Sequence, residues 1–308
     1  MHNYGMFDWN DLRYFLAVAR AGSTLAAARA LGVSQPTVQR RLTALEDRIG
    51  RTLVERHPTG CRPTKLGREL LVHAERVEDS VAAFERHLLS SDRQPTDPIR
   101  VTCAEAMAPR FLTPLVGRFH AAHPALRVDL IMTDRFLDLA KGEAEIAVRA
   151  RNPGKGALVC RKIADVPWAI YASRAYIERR GRPEELADID GHAVVGFAGE
   201  MTNNHAGRWL RTAAPKATVS AQGNTMLGIL AAVKSGAGLA PLPMMLGEPE
   251  GDLVRLFDAV PEIGSKIYLV MHRDLRRNPR VRAFFDFAVA DAERFRPLLR
   301  GESRRQDV

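Results

Sequence analysis

Residues 22–50 read GSTLAAARALGVSQPTVQRRLTALEDRIG, and the rest of the chain is best understood outward from them. Leu25 to Leu31 carries Ala26, Ala27, Ala28 and Ala30, small side chains that let another helix cross closely. Gly22 closes the preceding helix, and Ser23 or Thr24 can offer an oxygen to the first free amides. Gly32 gives a permissive backbone for a tight turn, Val33 packs beneath it, and Ser34 caps the next helix. Pro36 then falls in a first helical turn, where its missing amide hydrogen costs least. The spacing predicts a helix over Gln35–Ile49 with Val38, Leu42 and Leu45 as its buried stripe. Gln35, Thr37, Gln39, Arg40 and Arg41 lie largely outside that stripe, near the open N-terminal end. This is the pattern of a helix-turn-helix whose second helix enters the DNA major groove, where Gln pairs with adenine and Arg with guanine. The plainer alternative is a three-helix packing unit with a polar face.

The flanks agree with the first reading. Upstream, Asn10 to Ala21 places Leu12, Phe15, Leu16 and Ala19 on one helical stripe. Downstream, Thr52 to Arg56 reads as a short strand, and His57 to Thr64 as a turn with a returning strand. A hairpin behind a recognition helix is a wing, and Arg56 and Arg62 suit phosphate contact there. From Lys65 to Ser90 no proline or later glycine than Gly67 interrupts a helical pattern. Leu70, Ala74, Val77, Val81, Phe84 and Leu88 recur at steps of four and three, the signature of a helix seam. A second copy is the simplest cover for that seam, with packing into its own chain as the alternative. A symmetric dimer would present two reading heads to two half-sites.

The run Ser34 to Leu42, the pairs Leu45-Glu46 and Ile49-Gly50, Leu53-Val54-Glu55-Arg56 and Thr64-Lys65-Leu66-Gly67 resemble, in order, the signature of LysR-type transcriptional regulators. Gln39 stands where that family usually has serine, and Val54 where it usually has phenylalanine. The resemblance implies groove contacts from Gln35, Pro36, Gln39 and Arg40, with Arg62 contacting DNA from the wing. Ser34, Thr37, Arg41 and Arg56 complete the candidate DNA-binding set. It also implies a homodimer, pairing further into a tetramer, on promoter DNA, with RNA polymerase as a further candidate partner.

After Ser90–Pro98, which reads as a hinge (91–98), strands and helices alternate. Ile99–Cys103 and Val128–Met132 are strands around a helix at Phe111–His123, and Phe136–Gly142 with Ile146–Arg149 repeats the cycle. Trp168–Ala172, Val194–Phe197, Thr218–Ala221, Leu239–Leu242 and Ile267–Met271 read as further strands. Thr225–Ser235 and Arg280–Arg294 read as helices. The alternation points to an α/β domain with largely parallel pairing, whose ligands bind beyond the strands' carboxyl ends. Leu112-Thr113-Pro114-Leu115, Gly142 to Arg149, Ala232 to Ala240 and Phe284 to Phe287 extend the resemblance to the LysR effector domain. That implies two lobes like those of type 2 periplasmic binding proteins, crossing near Ala164–Pro167 and Ser265–Tyr268. The expected fold class is therefore a multidomain α+β and α/β chain. It comprises a winged helix-turn-helix (1–66), a linker helix (67–90), the hinge, a two-lobed effector domain (99–297) and a tail (298–308). Lobe I takes 99–164 and 268–297, and lobe II takes 165–267. Thr102, Ala104, Glu105, Thr133 and Asp134 would line the cleft from lobe I, and Asn203, Asn204, Asn224 and Thr225 from lobe II. A carboxylate at Glu105 would disfavour small anions unless Arg135 or Arg149 neutralises it.

Bulk properties fit. The 308 residues carry a formal charge of +9. Ten basic and five acidic residues lie in the stretch ending at Lys65, so over half the excess sits in the first fifth of the chain, favouring an anionic partner. Cys61, Cys103 and Cys160 are too scattered for a disulfide framework or structural zinc, and no cofactor is expected. No apolar run suits a bilayer, and Met1–Asp11 lacks the pattern of a secretory signal, so the cytoplasm is the expected location. Hydrolase elbows, zincin helices and phosphate-binding glycine loops are missing, so an enzyme is not expected. The rival readings are a solute-binding sensor with a helical extension and a winged-helix regulator of another family.

Overall fold

The structure, a computed structural model, describes residues 8–58, 60–91, 97–152 and 157–301. Contacts divide the chain into two units, 1–91 and 92–308. The tip of the wing at Thr59, most of the expected hinge (92–96) and most of the expected tail (302–308) lie outside the described residues.

The first unit runs α1 (Trp9–Ala21), α2 (Thr24–Leu31), α3 (Gln35–Ile49), β1 (Val54–His57), β2 (Gly60–Pro63) and α4 (Lys65–Ser91). Asp8, Ser23 and Ser34 cap the first three helices by accepting backbone N–H bonds, and Gly22, Gly32 and Gly50 end them at positive φ. Phe15, Leu16, Val38, Leu45 and Leu53 are fully buried between them. Helix α4 begins on this core: Leu70 and Leu71 pack against it and Ala74 is part of it. Arg20 of α1 fixes the contact, 2.7 Å from Glu78 and 3.6 Å from Glu75. The expected seam is therefore divided. Leu70 and Ala74 are covered by their own domain, because α4 packs against α1 there. Val77, Phe84 and Leu88 emerge beyond it, Phe84 with 65% of its surface exposed.

In the second unit, β3 (Ile99–Cys103) pairs in parallel with β4 (Val128–Met132) and β5 (Ile146–Arg149). The long strand β12 (Ser265–His272) then runs antiparallel between β5 and β6 (Leu158–Val166), giving the order β4-β3-β5-β12-β6. Helices α5 (Thr113–Ala122) and α10 (Pro279–Leu299) contact each other, and Phe119 packs edge-on to Phe284 and Phe287 between them. Leu137, Leu139 and Ala144 form a second, smaller cluster with Ala147 and Val270.

Lobe II holds β7 (Trp168–Ser173), α6 (Arg174–Arg180), β8 (Ala193–Phe197), α7 (His205–Ala213), β9 (Thr218–Gly223), α8 (Met226–Lys234), β10 (Ala240–Pro243), α9 (Met244–Gly247) and β11 (Leu253–Arg255). Strand β7 lies between β10 and β11, antiparallel to both, and β8 pairs in parallel with β9. A parallel bridge between Val194 and Leu239 links the two ladders. The chain crosses between lobes where β6 passes through Pro167 into β7, and again at the start of β12. A β-bulge between Ile267 and Tyr268 marks the second crossing.

Three expectations need correction. Pairing is mixed rather than largely parallel, because β6 and β12 both run along the crossings and pair with each other antiparallel. Phe136–Gly142 is not a helix. Its polar groups satisfy one another locally, Glu143 accepting from the Asp138 amide at 2.6 Å and Asp138 from the Ala140 amide at 2.8 Å. The helix expected at Phe111–His123 starts as a wide π turn (Ala108–Leu112) and becomes α-helical only at Thr113.

Candidate DNA-binding face and effector cleft

At the tip of α3 the Ser34 hydroxyl accepts the Thr37 amide at 3.4 Å and lies 2.9 Å from the Thr37 hydroxyl. Pro36 occupies the first turn and Gln39 and Arg40 are exposed. Gln35 is half-buried and donates its side-chain amide to the Thr24 hydroxyl at 3.0 Å, which braces α3 on α2. Arg41 is placed differently from the expectation. Its guanidinium lies 3.3 Å from Asp11, whose carboxylate is 1% exposed, while Arg48 reaches the other carboxylate oxygen at 3.1 Å. Arg41 thus holds α3 to α1, and the outward cation of the tip is Arg40.

The wing is held at both ends. The Cys61 amide donates to the Gly22 carbonyl at 2.6 Å, and the Thr64 amide to the Leu53 carbonyl at 2.9 Å. Gly60 adopts φ +131°, and a Cβ there would lie 2.2 Å from the Gly22 carbonyl oxygen, so only glycine fits this approach. At the foot, one oxygen of Glu46 accepts the amides of Leu53 and Val54 at 2.7 and 3.0 Å. Strand register pairs Glu55 with Arg62 and Arg56 with Cys61, so Arg62 and Arg56 stand on opposite faces. Cys61 packs toward the core, which leaves Arg62 on the outer face. Among the described residues no carboxylate lies within ion-pair distance of Arg40, Arg56 or Arg62.

In the second unit, the carboxyl ends of β3 and β4 lie side by side, and the Thr133 amide donates to the Cys103 carbonyl at 3.0 Å. Glu105 opens a short turn (Glu105–Met107) and is exposed, as is Asp134. Thr102 is buried and spends its hydroxyl on the Ile131 carbonyl at 2.8 Å, so it supports the strand ends rather than facing a ligand. The Thr133 hydroxyl accepts the Arg135 amide, and Ala104 packs against the core. Arg135 pairs with Glu143 at 3.4 Å, and Arg149 donates to the Leu137 carbonyl at 2.6 Å while stacking on Phe136. Neither neutralises Glu105.

Across the cleft, Asn204 caps α7 and Thr225 caps α8, so both helix starts converge on the same edge. The Ala198 amide donates to the Gly223 carbonyl, which brings the Gly199–Asn203 turn beside Asn224. The Glu105–Met107 turn touches α8, the helix that Thr225 caps. Sequence reasoning missed β6 and the interlocked roles of Asp11 and Arg48. An aspartate on the apolar side of α1 was the available signal for the latter.

Cys103 sits under this edge. Burial, followed by the negative charge of Asp134, pushes its thiol up to about 12. In the folded protein Cys103 is therefore expected to resist iodoacetamide at neutral pH and to react only after denaturation. Peptide mass spectrometry showing alkylation at the rate of a free thiol would contradict this.

Residues 9–68 match the family described as bacterial regulatory helix-turn-helix protein, lysR family, and residues 92–293 match the LysR substrate binding domain. A transcriptional regulator of Xanthomonas campestris is 28% identical over 92% of this chain and 85% of its own length. The regulator CrgA of Neisseria meningitidis is 27% identical over 91% of this chain and 96% of its own. In three dimensions the CrgA structure, at 24% identity, covers 93% of this chain and 99% of its own with a TM-score of 0.56. The Vibrio cholerae virulence activator AphB, at 21% identity, covers 92% and 99% with a TM-score of 0.53. The winged head, the long helix and the two-lobed domain behind it thus belong together: this chain is a member of the LysR family of transcriptional regulators.

Proposed function

We propose that this regulator acts on promoter DNA in the cytoplasm as a homodimer, and as a pair of dimers, with no catalytic step of its own. The observations that carry the reading are the exposed Gln39–Arg40 tip of α3 and an outward Arg62 on an anchored wing. Ser34, Pro36 and Thr37 shape the tip, Gln35 and Arg41 brace it, and Arg56 is the wing's secondary cation. A division at residues 66, 90, 98 and 297 into head, linker helix, hinge and effector domain is supported to within a residue or two by α4 running Lys65–Ser91 and α10 ending at Leu299. Helix α4 supplies the dimer seam through Val77, Val81, Phe84 and Leu88, with Leu70 and Ala74 fixing its angle. Two heads so joined read half-sites roughly one or two helical turns apart. RNA polymerase is the partner through which such a bound complex would act.

The cleft between the lobes receives the effector. Glu105 and Asp134 have no basic partner among the described residues, so a neutral or cationic effector suits this edge better than a small anion. Binding shifts regulation only by preferring one lobe arrangement over the other.

Two substitutions test the DNA reading. Arg40→Ala is expected to relax base preference by about 1–3 kcal/mol, because a base-edge contact is lost. Arg62→Ala is expected to weaken binding to all sequences and to flatten the salt dependence by roughly one unit of slope, because a phosphate contact is lost. A gel-shift salt titration separates them, and the reverse pattern would exchange the two roles. If neither variant alters binding to duplex DNA, the tip does not read it.

A further inference from the structure

A cavity of about 580 Å³ opens where the chain crosses between lobes, and none of its lining residues is among those assigned to the effector cleft. We propose that it is a second ligand site, one for a compact organic carboxylate with an apolar body.

Its walls come from both crossings, Asp165–Pro167 on one side and Gly264–Lys266 on the other. Lobe II adds Met244 and the segment 259–261, and the end of α10 adds Arg300. The volume is that of a small-molecule pocket, within the usual range of about 300–1,000 Å³. Val166, Pro167, Met244, Val260 and Pro261 make most of the surface apolar, which calls for a hydrocarbon or aromatic body.

The charge on the rim decides the polar end. Lys266 faces Asp165 across the β6–β12 ladder, and Asp165 is already bonded to Lys162 at 2.7 Å. The hydrogen bond from Lys162 holds the Asp165 carboxyl below its ordinary range, so it stays ionised and its charge is offset by that lysine. Lys266 then leaves the rim positive, and an anion is favoured there. One carboxylate at the rim and an apolar body inside satisfies both parts of the lining.

The place also gives the site a consequence. Its two walls belong to the strands about which the lobes hinge, and the Trp168 indole at the first crossing donates to the Ser265 hydroxyl at the second, at 3.0 Å. A molecule between them interacts differently with open and closed arrangements, so its binding biases lobe closure independently of the cleft.

Phenylacetate and its uncharged analogue phenylacetamide probe this directly on the full chain. The readout is the ¹³C-methyl signal of Met244, identified by its loss in Met244→Leu, together with the amide signals of Val166 and Lys266. Phenylacetate is expected to shift them saturably, and phenylacetamide to bind about tenfold more weakly, as for a lost charge-assisted hydrogen bond. Lys266→Gln should weaken phenylacetate by a similar factor, Lys266→Arg should retain it, and Ala259→Phe, which fills the cavity from lobe II, should abolish the response. Asn224→Trp, which obstructs the effector cleft, should leave it unchanged. Equal responses to acid and amide, no saturable shift, or loss of the response in Asn224→Trp would each overturn the proposal, the last by assigning the ligand to the cleft.

Discussion

Removing both arginines from Asp11, in Arg41→Ala/Arg48→Ala, is expected to destabilise the winged head by about 3–5 kcal/mol, the cost of stranding a buried charge. The carboxylate is 1% exposed and divides its two oxygens between guanidiniums that are themselves 41% and 50% exposed. Either arginine alone still compensates the charge, so each single substitution should cost only about 1 kcal/mol or less, as half-exposed ion pairs do. The double substitution should therefore exceed the sum of the singles, a coupling that a double-mutant cycle measures. Native-state hydrogen exchange of α1 and α3 amides is the suitable readout, since it follows this unit without unfolding the other. Adding Asp11→Leu to the double variant should recover most of the loss, because no charge then remains buried. Additive single effects, or no recovery in the triple variant, would mean that Asp11 reaches water by another route. The same experiment settles how to read DNA-binding defects at Arg41: they should track loss of the head's stability, unlike those at Arg40.

That distinction shows where the sequence was legible and where it was not. Helix α3 occupies the predicted span Gln35–Ile49, and Ser34 caps it, because glycine turns, hydroxyl caps and a three-residue apolar stripe act locally. β3, β4 and β5 also begin and end where their apolar runs do. What local pattern could not reveal was which polar side chain is used inward. Gln35, Arg41 and Thr102 all have the chemistry of contact residues, and each instead bonds a distant part of its own domain, at Thr24, Asp11 and Ile131. Loss of the expected helix at Phe136–Gly142 has a similar origin, since Glu143 and Asp138 compete for backbone amides. The heptad pattern of α4 was equally real but could not say which chain covers it. Its first two positions are packed at home, and Val77, Phe84 and Leu88 are exposed. Strand β6 escaped notice because Arg161, Lys162 and Asp165 interrupt its apolar run. Its pairing with β12 comes from far along the chain.

Glu46→Ala is expected to detach the wing from the recognition helix while leaving that helix folded. A single carboxylate oxygen accepts two amides, those of Leu53 and Val54, and Leu53 is almost completely buried. Alanine leaves both N–H groups without an acceptor where water has little access, at about 1–3 kcal/mol for each stranded amide. Glu46→Gln keeps one oxygen at the same place and loses only the charge, so it should recover much of the stability. The functional effect comes from the strand that the two amides position. They begin the strand that carries Arg56 and pairs with the one carrying Arg62, so misplacing them should remove the wing's phosphate contact while Gln39 and Arg40 stay in place. Relative base preference should then survive, with affinity falling across all sequences and the salt slope shrinking by roughly one, as for Arg62→Ala. Faster exchange confined to Leu53, Val54 and the hairpin amides would accompany it. If Glu46→Ala instead relaxed base preference as Arg40→Ala does, the wing and the tip of α3 would form one cooperative reading surface rather than two separable ones.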